Sequence, residues 1–540
     1  MNTTLESPSS TGSRGSVRFP LRLGSAALSV LSNTVEKAPA AWLTVLTLIY
    51  FATSRLRAGK PLWFDELTTY YLARMDSIAA AWRATIDGVD LQPPLMMALA
   101  HISQKLLGPT DFATRLPSIV GVFLACAFLY AFLKKRLGQS YAISGAVLLL
   151  LTSAYHYAVE ARPYGLVLAG ASIALYSWQR ACESGRSWLS LTGIALGLWI
   201  ALASQCYAVL LCVPFGTGEI VRSFRRKKMD WGVWMAFALS ATALVFYPPL
   251  ISLHGNGFAG KVEIFAPNLR SFWIVPSHLF GGGWRVIAVL LVMSALMVRG
   301  KSRTVESEPA IPLHETVAIG LLTALPILLT ILVAKLDSSI FYRYGIAAVL
   351  GMVVLTMRAF HRISFGDPRI GSLILLLMSG VFVERFISDA FSRPDMQPGA
   401  SIVAGAAETG IHVGGHRLLS FVKPGVPLVV SNPFWFPEVV HYAPRSLADR
   451  TFYLRDVNSA KRISGTDFFE YAIPALYKLP VPGHIVAYSD FTATYRHFYL
   501  YTSSNSFDWL TGRLGEDGVV FTFVGRLEDA LLLEATFPGR

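Results

Sequence analysis

Charge is scarce in this chain. Asp, Glu, Lys and Arg make up 15% of its 540 residues, against 53% apolar ones, too few to solvate the surface of a soluble protein of that length. Cysteine is almost absent: Cys126, Cys182, Cys206 and Cys212 lie in or beside apolar runs, which argues against a disulfide framework or a zinc-ligand spacing. No segment repeats with a fixed period. Nucleotide binding lacks its usual glycine-rich strand-to-helix turn, since "GIHVGGH" at 410–416 has neither the spacing nor a convincing preceding strand. A cleavable leader is not expected either, because residues 1–36 are polar and basic and the first apolar run ends in "RLRAGK" without a small-residue cleavage site.

What the chain has in abundance is long apolar runs. Its Lys and Arg, 47 against 34 acidic residues, cluster at alternate ends of those runs, as in "KKR" at 134–136, "RSFRRKK" at 222–228 and "MRAFHR" at 357–362. That is the positive-inside pattern of short cytoplasmic loops, so the charge excess reports topology and no nucleic-acid partner. Runs of about 17 to 22 residues predict about eleven spanning helices. They fall near 38–54, 112–133, 141–158, 164–181, 188–204, 206–221, 231–251, 284–299, 314–334, 344–359 and 369–388. With a cytoplasmic N-terminus, the odd count puts the C-terminus and the loops 55–111, 252–283 and 335–343 outside.

The expected fold class is a polytopic α-helical membrane protein with a C-terminal soluble α/β domain. Residues 1–37 read as a disordered cytoplasmic tail, 38–390 as the transmembrane domain and 391–540 as an extracytoplasmic domain. In the last segment "VPLVVSN", "TFYLRD", "HIVAYSD" and "VVFTFVG" read as strands. "FPEVVHYA", "DFFEYAIPALYKL" and "RLEDALLLEATF" read as helices.

The first outer loop carries the chemistry. "WFDELTTYYLARM" at 63–75 sets the carboxylates of Asp65 and Glu66 at the start of an amphipathic helix expected to lie on the membrane surface, Asp65 near its N-cap and Glu66 in its first turn. Capping explains one carboxylate but not two. "DLQPPLMMALAHISQKLLG" then opens a second amphipathic helix with a double proline, and "DFATRLPSIVGVF" leads into the membrane.

The order "DE", "D-x-Q-P-P-L", "LLG", "TRLPS", then "EARPYGL" at 160–166 and "YRYG" at 342–345, resembles the GT-C superfamily of membrane glycosyltransferases over about residues 38–390. Within it, the chain looks like the bacterial relatives of protein O-mannosyltransferases and of lipid A aminoarabinose transferases. The resemblance implies an inverting transfer of a sugar from a polyprenyl-phosphate donor to an extracytoplasmic acceptor: lipid A or its core, another envelope glycan, or a protein hydroxyl. It also implies a place in the bacterial inner membrane, among its lipids. By carry-over Asp65 is the catalytic base, and Glu66 orients it or helps recognise the sugar. Many relatives carry His or Lys where this chain has Gln92, so the usual cationic contact to the donor phosphate is not carried over at that position.

For the phosphate, Arg162 and Arg343 are the leading candidates, each expected at an outer helix end; the plain alternative is that they snorkel to the interface. Glu160 is a possible partner of Arg162. Tyr164 is assigned to the donor site and Tyr342 stands in the same motif set, though both also suit an aromatic belt. Asp90 either binds the acceptor or starts the turn before Pro93 and Pro94. Lys261, Arg270 and His278 are weaker candidates, and His101 and His156 read as packed helix residues. No cofactor is required; the resemblance leaves room for a divalent cation on Asp65 and Glu66, but this sequence does not demand one. The C-terminal domain is expected to assist acceptor capture or stability, since all the reacting groups precede it. The rival readings are a lipid or oligosaccharide transporter, which more often shows repeated halves, and a non-catalytic anchor.

Overall fold

A computed structural model describes residues 21–183, 187–253, 268–281, 311–335, 341–391, 418–504, 508–527 and 529–538. The expected span at 284–299, Lys261 and "GIHVGGH" lie outside the described residues. The chain opens with α1 (Leu21–Lys37), so the tail expected to lack structure is helical from Leu21. It turns by 87° at Pro39 into α2 (Pro39–Arg57). The stretch 58–110 holds α3 (Phe64–Ala73) and α4 (Leu95–Leu107), followed by α5 (Asp111–Leu137) and α6 (Gln139–Leu151). Next come α7 (Tyr164–Glu183), α8 (Trp188–Ser204) and α9 (Cys212–Arg226). The bent pair α10 (Leu313–Thr323) and α11 (Leu325–Lys335) precedes α12 (Ala348–Ile363) and α13 (Pro368–Phe391).

The described helices overlap ten of the eleven expected spans. By length and apolar composition, two helices among the described residues suffice to cross a membrane, Asp111–Leu137 and Trp231–Ser252, or up to four spans if each bent pair counts as one. The helical core is set by close backbone approach: a Cβ at Gly165 in α7 would lie 2.5 Å from the Ser118 carbonyl oxygen of α5. Small residues at such crossings let helices pack by van der Waals contact where lipid supplies no hydrophobic drive. This crossing also fixes where the Arg162 segment meets α5.

The C-terminal region is a six-stranded sheet of β1 (Leu428–Val430), β2 (Thr451–Arg455), β3 (His484–Ala487), β4 (His497–Ser503), β5 (Val520–Leu527) and β6 (Ala530–Thr536), in the order β3-β2-β1-β4-β6-β5. The first four strands in that order are parallel, and β6 and β5 form an antiparallel hairpin. The helices α14 (Trp435–Tyr442), α15 (Phe468–Ala475) and α16 (Trp509–Glu516) cover it. "RLEDALLLEATF", expected as a helix, instead begins in the end of β5 and ends in β6: the Leu- and Ala-rich helical propensity of β6 is outweighed by its pairing with β4 and β5.

Side chains alternate across the sheet. Val429, Phe498 and Leu500 pack on one face, whereas Leu428, Val430, Tyr499 and Tyr501 face a core that also contains Leu62, Leu67, Tyr70 and Tyr71 of the 58–110 stretch. The expected surface helix is thus a buried one. Residues Glu66–Ala73 of α3 are all buried, because both faces of the helix are covered, by the helical domain and by the sheet domain.

Candidate active site

Helix α3 begins after Trp63, which stands at the N-cap, so Asp65 and Glu66 both lie in its first turn. Their environments differ sharply. The Glu66 and Arg115 side chains are 0% exposed and joined at 2.6 Å. Glu66 Oε1 accepts from Arg115 Nε at 2.7 Å and from the Ala161 amide at 2.6 Å, and Oε2 accepts from Arg115 Nη2 and from the Trp63 amide at 3.3 Å. The Arg115 guanidinium also donates to the carbonyls of Ala58, Lys60 and Pro61. Glu66 therefore ties three separate stretches of chain together. Arg115 was missed as a functional residue; the available signal was an arginine inside an apolar helix, costly unless paired.

Asp65 is the more open carboxylate, its side chain 22% exposed. Its Oδ2 lies 3.4 Å from Arg343 Nη2 and 3.8 Å from Arg162 Nε. Arg162 Nη1 also donates to the Asp65 carbonyl at 3.1 Å and to Asp90 Oδ2 at 3.2 Å. The two arginines and two aspartates, drawn from four distant parts of the sequence, form one cluster. Both arginines are buried, so neither is a lipid-facing snorkel. Arg343 lies over the rings of Trp63 and Phe341, 5.6 and 4.6 Å from their centroids, which holds its planar fork in place.

Glu160 does not pair with Arg162. It takes His156 Nε2 at 2.9 Å. Burial opposes its ionisation, but His156, Lys60 and Arg343 outweigh burial and hold its carboxyl down at about 2. Asp90 shows the opposite balance, because burial raises its pKa above the ordinary value despite Arg162 beside it. Asp90 Oδ1 accepts from the Leu91 amide at 2.8 Å, the contact of a turn residue, while Oδ2 serves the cluster.

A cleft with about 280 Å³ of empty space, part of it open solvent, borders Asp90, Gln92, Arg162, Thr69, Thr85 and Met96. Buried polar atoms point to a site made for a polar ligand: Gln92 Oε1, Tyr164 Oη and Trp63 Nε1 have no hydrogen-bond partner among the described residues, a state rare in folded interiors. Tyr164 is fully buried against Tyr157, and Tyr342 stacks on His278 at 4.8 Å, so neither is an exposed belt residue. His101 is buried with Nδ1 on the Ala73 carbonyl at 2.8 Å, a packed helix residue. Arg270 and His278 are exposed. Among the described residues no group of three or more His, Cys, Asp or Glu side chains could hold a metal ion.

A carboxylate flanked by two buried arginines lies beneath the C-terminal sheet domain on a bundle of apolar helices, and the fold is one found in solved membrane glycosyltransferases. Residues 91–251 match the family described as dolichyl-phosphate-mannose-protein mannosyltransferase. The chain superposes on ArnT from Cupriavidus metallidurans bound to undecaprenyl phosphate with a TM-score of 0.54 at 12% identity, covering 92% of this chain and 98% of that one. Against the apo state of the same protein the TM-score is 0.52, with equal identity and coverage. No curated protein sequence matches the chain. The resemblance read from the motifs is thereby borne out, by a family match in one part of the chain and by the fold over nearly all of it.

Proposed function

We propose that the chain transfers a sugar from a polyprenyl-phosphate donor to an acceptor hydroxyl on the outer face of the bacterial inner membrane, with inversion at the anomeric carbon. The observation that carries this reading is Asp65 Oδ2 held between Arg343 and Arg162 beside the cleft. Asp65 takes the acceptor proton as the oxygen attacks C1. The bond from C1 to the phosphate oxygen breaks, and its electron pair leaves with the polyprenyl phosphate. Arg343 and Arg162, both buried, stabilise the charge that grows there as fixed donors that need no reorganisation. Gln92 and Tyr164 complete the donor contacts with the polar atoms they leave unpaired among the described residues, and Asp90 borders the cleft on the acceptor side while holding Arg162.

Glu66, with both oxygens already engaged by Arg115, Ala161 and Trp63, is the orienting partner. The helical domain supplies the lipid-facing setting that the donor tail needs, and the likeness to ArnT bound to undecaprenyl phosphate supports a polyprenyl carrier. The test is transfer from radiolabelled undecaprenyl-phosphate sugars to an envelope extract by the purified protein. Label should move covalently to an acceptor with release of undecaprenyl phosphate. Translocation of intact donor across vesicles without a new glycoside would refute the enzyme in favour of the transporter.

A further inference from the structure

Tyr442 ends α14 of the outer domain, yet its hydroxyl works in the catalytic loop. Its Oη accepts from the Leu62 amide at 2.6 Å and donates to Asp111 Oδ2 at 3.0 Å. Leu62 directly precedes Trp63, the N-cap of α3, and lies three residues before Asp65. Asp111 opens α5 one turn before Arg115, the residue that grips residues 58–61 and Glu66 from the membrane side. The non-helical stretch that delivers Asp65 is thus held from one side by Arg115 and from the other by Tyr442, and both grips are anchored on α5. Burial first, and the Asp111 carboxylate next, push the Tyr442 phenol above its ordinary pKa, so it stays protonated and keeps donating. Further contacts run beside it: Tyr71 Oη shares a hydrogen bond with His441 Nδ1 at 2.8 Å, and the Phe64 and Phe434 rings meet edge to face at 5.4 Å.

We propose that Tyr442 is a positioning residue through which the outer domain sets the place of Asp65 between Arg162 and Arg343. The inference rests on the transfer reaction above and gives the outer domain a part in catalysis beyond acceptor capture or stability. A base must meet its proton within hydrogen-bond reach, and small misplacements are costly in rate. A loop tethered on one side only lets α3 rock about the Glu66–Arg115 pair.

The test compares Tyr442→Phe, which keeps the ring and removes both hydrogen bonds, with Asp111→Asn, which can still accept from Tyr442, and Asp111→Ala, which cannot. The donors are undecaprenyl phosphate carrying mannose, glucose, galactosamine or aminoarabinose, with envelope extract as acceptor. Tyr442→Phe and Asp111→Ala should each lose about tenfold in kcat with KM changed less than about twofold, because positioning is lost and binding is not. Asp111→Asn should stay close to wild type. Hydrogen exchange of residues 59–67 should quicken in Tyr442→Phe while the thermal midpoint holds. If Tyr442→Phe does not fold, the two Asp111 variants decide alone. An active wild type matched by Tyr442→Phe, or by Asp111→Ala, would overturn the inference and leave the function standing. A wild type that transfers none of the sugars would overturn the function and the inference with it.

Discussion

Replacing Asp65 with Asn separates the carboxylate's chemistry from its structure. The side chain keeps its shape and remains in the first turn of α3, where a carboxylate adds only about 0.3–1 kcal/mol through the helix dipole. Arg162 keeps Asp90 at 3.2 Å, and Arg343 keeps the faces of Trp63 and Phe341, so folding and membrane insertion should survive with a loss of about 1 kcal/mol. Donor binding should not weaken. In the resting protein Asp65 attracts both arginines, at 3.4 and 3.8 Å. Each such pair is worth about 4–5 kcal/mol at most at an effective dielectric of 20, before desolvation is charged against it. A donor phosphate competes with that attraction, so its removal should tighten Kd, by up to about fivefold if about 1 kcal/mol survives desolvation. The rate should fall by about a hundredfold or more, about 2.7 kcal/mol of barrier, because Asn cannot take the proton. Single-turnover transfer at saturating donor, beside equilibrium binding of undecaprenyl phosphate, measures the two effects separately. Transfer by Asp65→Asn within about threefold of wild type would be too small a loss for a general base and would remove that role. A loss of donor affinity in step with the loss of rate would make Asp65 a binding residue instead.

Other substitutions test the neighbours. Arg343→Ala should lower donor affinity and turnover more than Arg343→Lys, which keeps the charge but not the bidentate fork; equal kinetics in all three proteins would leave Arg343 a structural residue. Arg115→Met should cost about 3–5 kcal/mol by stranding a buried carboxylate, with partial recovery on adding Glu66→Gln, and a thermal midpoint close to wild type would contradict the pairing. Burial, then Arg74, hold the His441 imidazole down to about 4 from its usual 6.5. The unfolded chain therefore binds that proton first, and outer-domain stability should fall as pH drops from about 6.5 towards 4; His441→Gln should flatten this window in pH-dependent thermal unfolding. Single cysteines at Lys228 and Ser464 in a cysteine-free background should respond oppositely to an impermeant thiol reagent in intact cells, Ser464→Cys alone being labelled. Equal labelling would overturn the orientation.

Some of this was legible in the chain before folding. Apolar runs bounded by arginine and lysine mark helices that suit a bilayer, since backbone polar groups in lipid must be satisfied within a helix. Asp65, Asp90 and the "EARPYGL" and "YRYG" segments mark the side chains that form the cluster. The strands β1, β2, β3 and β5 were readable from their β-branched and aromatic runs. "HFYLYTS", now β4, and "LLLEAT", now β6, were not, because strand pairing depends on partners far along the chain.

The sequence by itself determined the helical character of the chain and offered the charged residues that meet in the cluster, because periodicity, apolar length and charge are local properties. Only the tertiary structure decided which of two neighbouring carboxylates is open. That choice rests on Arg115, 49 residues beyond Glu66, whose guanidinium takes Glu66 completely and leaves Asp65 to Arg162 and Arg343. It also decided that α3 is buried rather than interfacial. The face that would have met the membrane surface is covered by a sheet domain hundreds of residues away, and a pairing between such distant surfaces leaves no periodic trace in either segment.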